Sequence, residues 1–137
     1  MKGIYVLVIK VKKNIKKYVG RLGEVPLKKG LYLYVGSAQG GLEKRIFRHL
    51  SKNKRKFWHI DYLLEDDNVE IVEIYYKELS KEWECKTASL ISGEPILGFG
   101  SSDCTCKSHL FRVEKYEIEK LENLSFKKYL RGTKWGS

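Results

Sequence analysis

Residues 3–9 read Gly3-Ile4-Tyr5-Val6-Leu7-Val8-Ile9, and residues 31–36 read Leu31-Tyr32-Leu33-Tyr34-Val35-Gly36. Both are apolar runs of strand length, rich in β-branched and aromatic side chains. The second is expected to lie antiparallel to the first and to end at Gly36. Between them, residues 10–30 are basic and carry Ile15, Tyr18, Val19 and Leu22 among Gly20, Gly23, Pro26 and Gly30. That pattern predicts an extra short hairpin inserted between two core strands.

Downstream, Ser37-Ala38-Gln39-Gly40-Gly41 is a turn, and a helix is expected from about Leu42 to Leu50. Leu42, Ile46 and Leu50 recur every four residues and should face the core, with Arg45 and His49 as a neighbouring pair one turn apart. Residues 57–64 suit a short helix, 65–68 a turn, and 69–76 a third strand. Ser80 is placed to cap a helix over residues 81–92, with Trp83, Thr87, Leu90 and Ile91 inward and Glu84 at the boundary. Gly93–Ser108 is a loop of a length that usually carries function. His109–Val113 reads as an edge strand, Ile118, Leu121 and Leu124 as one face of a closing helix, and Lys127–Ser137 as a basic, frayed tail. The expectation is one α+β domain over residues 1–137: a small, mainly antiparallel sheet of about three core strands flanked by helices.

The chain has 137 residues, 42% hydrophobic, and no apolar run approaching the roughly 18 residues of a membrane span. Met1 leads straight into a strand instead of a signal peptide, so a cytoplasmic protein without a membrane partner is expected. Residues 1–60 hold 16 Lys/Arg against Glu24 and Glu43, a balance of +14, whereas residues 61–137 hold 11 against 15 Asp/Glu, a balance of −4. Such asymmetry points to a nucleic-acid partner; a lysine-rich solvated face is the plainer alternative. The candidate phosphate contacts are Lys12, Lys13, Lys16, Arg48, Lys54, Arg55 and Lys56.

The triplets Gly3-Ile4-Tyr5 and Tyr34-Val35-Gly36, followed in order by Arg45, His49 and Glu84 on helices, resemble the GIY-YIG nuclease superfamily, and look like a small stand-alone archaeal branch of it. Valine in the second triplet, where the family has isoleucine, is a minor change. The resemblance implies cleavage of a nucleic-acid phosphodiester, DNA more than RNA, with one Mg²⁺ or Mn²⁺. Carried over, Tyr5 contacts the attacking water as general base, Tyr34 lines the site, Arg45 binds the phosphate and Glu84 holds the metal. An unperturbed tyrosine, of pKa near 10, is about one part in a thousand ionised at neutral pH, so Tyr5 would need a nearby cation. Arg45 suits a phosphate because its fork binds two oxygens at once, and a single carboxylate suits Mg²⁺. The family's late asparagine has no match; Ser101-Ser102-Asp103 occupies its region.

Each residue also has a plainer role. The tyrosines are ordinary strand aromatics, Arg45 is a solvated surface charge, and Glu84 complements a helix dipole. His49 either assists proton transfer or caps its helix. His59 is expected to pack with Trp58 and Tyr62, and Tyr32, which shares a strand face with Tyr34, is expected to line the groove. Cys85, Cys104, Cys106 and His109 form a competing metal set, but Cys-x-Cys-x-x-His lacks the usual zinc spacing, and buried reduced thiols are the preferred reading. The alternative to an enzyme is a nucleic-acid-binding module without robust cleavage. With no separate recognition domain evident, specificity falls to substrate structure or to a protein partner.

Overall fold

The computed structural model describes residues 1–51, 54–102 and 104–130. Strand β1 (Gly3–Val11) leads into a hairpin, β2 (Ile15–Tyr18) and β3 (Glu24–Leu27), before β4 (Gly30–Ala38) returns antiparallel to β1. Helices α1 (Leu42–Leu50) and α2 (His59–Leu64) follow, then β5 (Val69–Lys77) and α3 (Trp83–Leu90). The chain continues through β6 (Glu94–Pro95), β7 (Leu110–Val113), α4 (Tyr116–Asn123) and β8 (Lys127–Lys128). The main sheet runs β6-β7-β4-β1-β5-β8 with every pair antiparallel. The α+β class and the inserted hairpin are as the sequence indicates. The sheet has six strands, more than the three expected as its core, because β6 and β8 are too short to leave a period in the sequence.

Alternation along the central strands sorts side chains to two faces. Tyr5, Leu7, Ile9 and Val11 of β1 join Tyr32 and Tyr34 of β4 under the hairpin, α1 and α2. Ile4, Val6, Val8, Leu33 and Val35 face the other way, against Ala88 of α3 and Leu121 of α4. With both faces covered, β1 shows its continuous apolar run.

Three local expectations are corrected. Gly36 does not end its strand, since β4 continues to Ala38 and Gly36 pairs with Tyr5. In α1, Leu42 and Ile46 are buried, but His49 takes the inward place expected for Leu50, which is 39% exposed. Helix α3 begins at Trp83 with Glu82 as its N-cap residue, not Ser80; Thr87 and Ala88 point inward while Trp83 and Leu90 are exposed. Within the tail, Lys127 and Lys128 pair with β5; the remainder from residue 131, like Lys52, Asn53 and Asp103, lies outside the described residues. Among the described residues no helix is long and apolar enough to cross a membrane.

Candidate active site

Where β1 begins and β4 ends, a cleft of about 480 Å³ opens between the sheet, α1, α2, α3 and the loop after β6. Tyr5, Tyr34, Arg45 and Glu84 all line it, together with Ser37, Gln39, Trp58, His59, Lys81, Gly100 and Ser102. Side chains far apart in the sequence thus line one cleft.

Tyr5 is buried, and its hydroxyl lies 2.7 Å from His49 Nε2. His49 therefore stands behind Tyr5 instead of facing the cleft, and its own Nδ1 is buried without a hydrogen-bond partner. Burial, then the charge of Lys54, lowers the His49 pKa to about 3, so the imidazole is neutral at physiological pH. Burial pushes the Tyr5 phenol above its ordinary value, partly opposed by Arg45. Tyr34 is raised well above its ordinary value, chiefly by burial and next by Tyr5. Neither tyrosine rests as a phenolate.

Arg45 is held from two sides. Its Nη1 donates to the Ser37 carbonyl at 3.0 Å, and its guanidinium lies 4.2 Å from the Trp58 ring centroid. Gln39 Nε2 donates to Ser37 Oγ and to the Leu79 carbonyl, tying the end of β4 to the segment before α3. The loop approaches closely at Gly100, whose φ of +70° favours glycine and whose absent Cβ would lie 3.1 Å from Tyr34 Cε1. The Gly100 amide donates to His59 Nδ1 at 2.9 Å, which places His59 on the cleft wall while it also packs on Phe99. Tyr32 does not reach the cleft; it is buried and donates to the Lys28 carbonyl. Of Ser101-Ser102-Asp103, Ser102 lines the cleft and Ser101 is buried.

The basic candidates separate into classes. Arg48 makes a two-pronged pair with Asp61, both bonds 2.8 Å, and its guanidinium also lies 4.2 Å from Trp58. Asp61 is fully buried. Burial would raise its pKa, but the Arg48 fork and the Trp58 and Phe57 amides together hold it below the ordinary value. Arg48 is thus committed to positioning α2 and Trp58. Lys54 Nζ donates to the carbonyls of Arg48, His49 and Ser51 at the C-terminal end of α1. Lys12 pairs with Glu70 and Lys56 with Glu65, so acids from the second half of the chain sit against the basic first half. Lys13, Lys16 and Arg55 are exposed.

Trp58 and Asp61 escaped the sequence reading as site-forming residues. An aromatic followed three residues later by an aspartate at a helix start is the only local signal they leave.

The family described as "Domain of unknown function DUF123" matches residues 4–130. The chain belongs to the DUF123 family. No curated protein and no solved structure matches it. In this DUF123 chain the match reaches every element from β1 to β8, and so spans the cleft, the hairpin and the long loop together.

Proposed function

We propose that this DUF123 chain hydrolyses nucleic-acid phosphodiester bonds, DNA before RNA, as a cytoplasmic GIY-YIG-type endonuclease that uses one Mg²⁺ or Mn²⁺. The observation that carries the reading is the Tyr5–His49 hydrogen bond, set in the wall of a cleft that also displays Arg45 and Glu84.

The donor set fits the ion. Glu84 offers one partly exposed carboxylate on an open cleft, and Mg²⁺ characteristically takes one or two carboxylates, leaving other positions to water and phosphate oxygens. When bound, such an ion supplies Lewis acidity, lowering the pKa of the attacking water and neutralising charge on the phosphate.

The chain's own groups do the positioning. Arg45 has five N–H donors; with one on the Ser37 carbonyl, the guanidinium also beside the Tyr5 hydroxyl and its plane against Trp58, the donors left over serve phosphate oxygens. Tyr5 orients the water. With its hydrogen turned inward to His49 Nε2, the phenol oxygen presents lone pairs to the cleft and accepts the water's hydrogen. As that proton arrives on Tyr5, the phenol's own proton passes to Nε2. A phosphate beside Arg45 offsets cationic charges that help to keep His49 neutral, which strengthens Nε2 as an acceptor when substrate is present. Phe57, 78% exposed on the cleft wall beside Arg55 and Lys56, offers an aromatic face to an unpaired base.

Glu84→Gln tests the reading. On a panel of branched and linear DNA and RNA with Mg²⁺ or Mn²⁺, cleavage should collapse in the variant while affinity in EDTA stays within a few-fold. A wild type that cuts nothing on the panel yet binds as tightly as the variant makes the chain a binding module. Full-rate cleavage by Glu84→Gln removes Glu84 from the site.

A further inference from the structure

Behind the cleft wall, four residues from two distant segments converge. Cys85 comes from the first turn of α3, Cys104 and Cys106 from the loop after β6, and His109 from the end of that loop. Their ligand atoms all lie within 4.8 Å of one another. His109 Nε2 is 3.5 Å from Cys104 Sγ and 3.8 Å from Cys85 Sγ. None of the three cysteines is in a disulfide.

These separations have a coordination meaning. Zinc bonds to sulfur at about 2.3 Å and to imidazole nitrogen at about 2.0–2.1 Å, and at tetrahedral angles such bonds set neighbouring ligand atoms about 3.5–3.8 Å apart. For a nitrogen and a sulfur the edge is about 3.5–3.6 Å, so the His109–Cys104 distance falls on it and the His109–Cys85 distance exceeds it by about 0.2 Å. Three thiolates and an imidazole select a soft or borderline ion over Mg²⁺ or Ca²⁺, and a hard-ion role for this group is excluded on chemistry alone.

We propose that Cys85, Cys104, Cys106 and His109 bind one Zn²⁺ tetrahedrally, as a structural ion distinct from the carboxylate site of the cleft. Four protein ligands close the coordination shell and leave no position for a reacting water. The fold has use for such a fastening. Helix α3 buries only Thr87 and Ala88, an apolar contact too small to fix eight residues firmly. The loop between β6 and β7, residues 96–109, has Phe99 as its one fully buried large apolar side chain among the described residues. The zinc joins these two weakly anchored pieces to each other. Glu84 directly precedes Cys85, and Gly100 and Ser102 belong to the joined loop, so the ion also fixes the spacing of two cleft walls.

The sequence names this set but favours reduced thiols over a metal, because the fourth ligand lies 19 residues before the next and arrives only through the fold.

The test uses the full chain, purified under reducing conditions after growth with zinc and iron both supplied. Elemental analysis should find about one zinc per chain. Co²⁺ added to metal-stripped protein should give the intense visible absorption of tetrahedral thiolate coordination. Cys85→Ala and His109→Ala should lose the ion, His109→Cys should keep it, and Glu84→Gln should keep it too, since that residue serves the other site. Metal removal should speed hydrogen exchange in α3 and in residues 96–109 while β1 and β4 stay protected. If the ligand variants fail to fold, the wild-type metal content and Co²⁺ spectrum decide. A folded wild type that holds iron or no metal, takes up no Co²⁺ and alkylates freely at all three thiols overturns the proposal. None of these readouts depends on cleavage.

Discussion

Gly36 lies directly across the β1–β4 ladder from Tyr5, and the Tyr5 ring fills the space that a side chain at position 36 would take. An added Cβ would be driven into Tyr5 Cζ and Oη. Tyr5 sits near the start of a central strand, paired on both sides, and cannot step aside without disturbing its hydrogen bond with His49. Gly36→Ala is therefore expected to cost about 1–3 kcal/mol, the scale of overpacking in a filled core. Denaturant unfolding measures that loss. Cleavage should fall more than stability accounts for, because the hydroxyl is displaced. A variant as stable and active as wild type would show that the ring is free to move.

Tyr5→Phe removes one oxygen and keeps the ring. It leaves His49 Nε2 buried beside an already unpaired Nδ1, a loss of about 1–3 kcal/mol by the cost of an unsatisfied buried polar atom. On the proposed mechanism, single-turnover cleavage drops on the order of a hundredfold or more, the scale of acid–base catalysis. Near-normal turnover would leave the phenol with a packing role only.

His49 makes stability depend on pH with a definite sign. Its folded pKa, lowered to about 3 by burial and then by Lys54, lies below the unfolded value of about 6.5. Between those values the unfolded chain binds a proton that the folded chain does not, so stability rises with pH across the window and falls as pH drops toward 3. Above about 6.5 the group makes no difference. The slope from His49 alone approaches one proton, and His59, lowered by burial, adds in the same direction. His49→Gln should flatten the curve between about pH 4.5 and 6.5, read by urea unfolding at several pH values. An unchanged slope in the variant would mean that His49 is protonated in the folded protein.

Salt dependence separates the basic residues by the partners they already have. Arg55 is exposed and Lys56 is shared with Glu65, whereas Lys54 serves the end of α1. Arg55→Ala with Lys56→Ala should weaken duplex-DNA binding and reduce the slope of log affinity against log salt by roughly 0.9 for each phosphate that is no longer neutralised. Arg48→Ala should instead act through stability, since it strands the buried Asp61 carboxylate. If the Arg55/Lys56 double variant keeps both affinity and slope, this loop lies off the binding surface.

Much of this arrangement was legible from local pattern. The bounds of α1 followed from its period, and the hairpin from glycine and proline placement in a basic stretch. What stayed hidden depended on partners far along the chain. Gly36 looks like a strand terminator until Tyr5 is placed opposite it. His49 looks exposed beside Arg45, yet hydrogen bonding to Tyr5 turns it inward in place of Leu50. Charge was misleading in a similar way, because Glu65 and Glu70 belong to the acidic half of the sequence but meet Lys56 and Lys12 in space.

The two short strands at the margins of the main sheet have a consequence for how the molecule behaves among its own copies. At one margin the Ile96 amide turns inward to the Leu110 carbonyl, so by alternation the nitrogen of Pro95, which has no hydrogen, faces outward. At the other, the outer strand is Lys127-Lys128; Lys128 is paired with Glu73, and the exposed Lys127 sets a charge that would oppose its like if two such margins met. Each margin of the described sheet thus discourages strand-by-strand growth. On the proposed nucleic-acid partner, a basic chain built on an apolar six-stranded sheet would crowd at high local density while its backbone gives neighbouring copies little to zip onto.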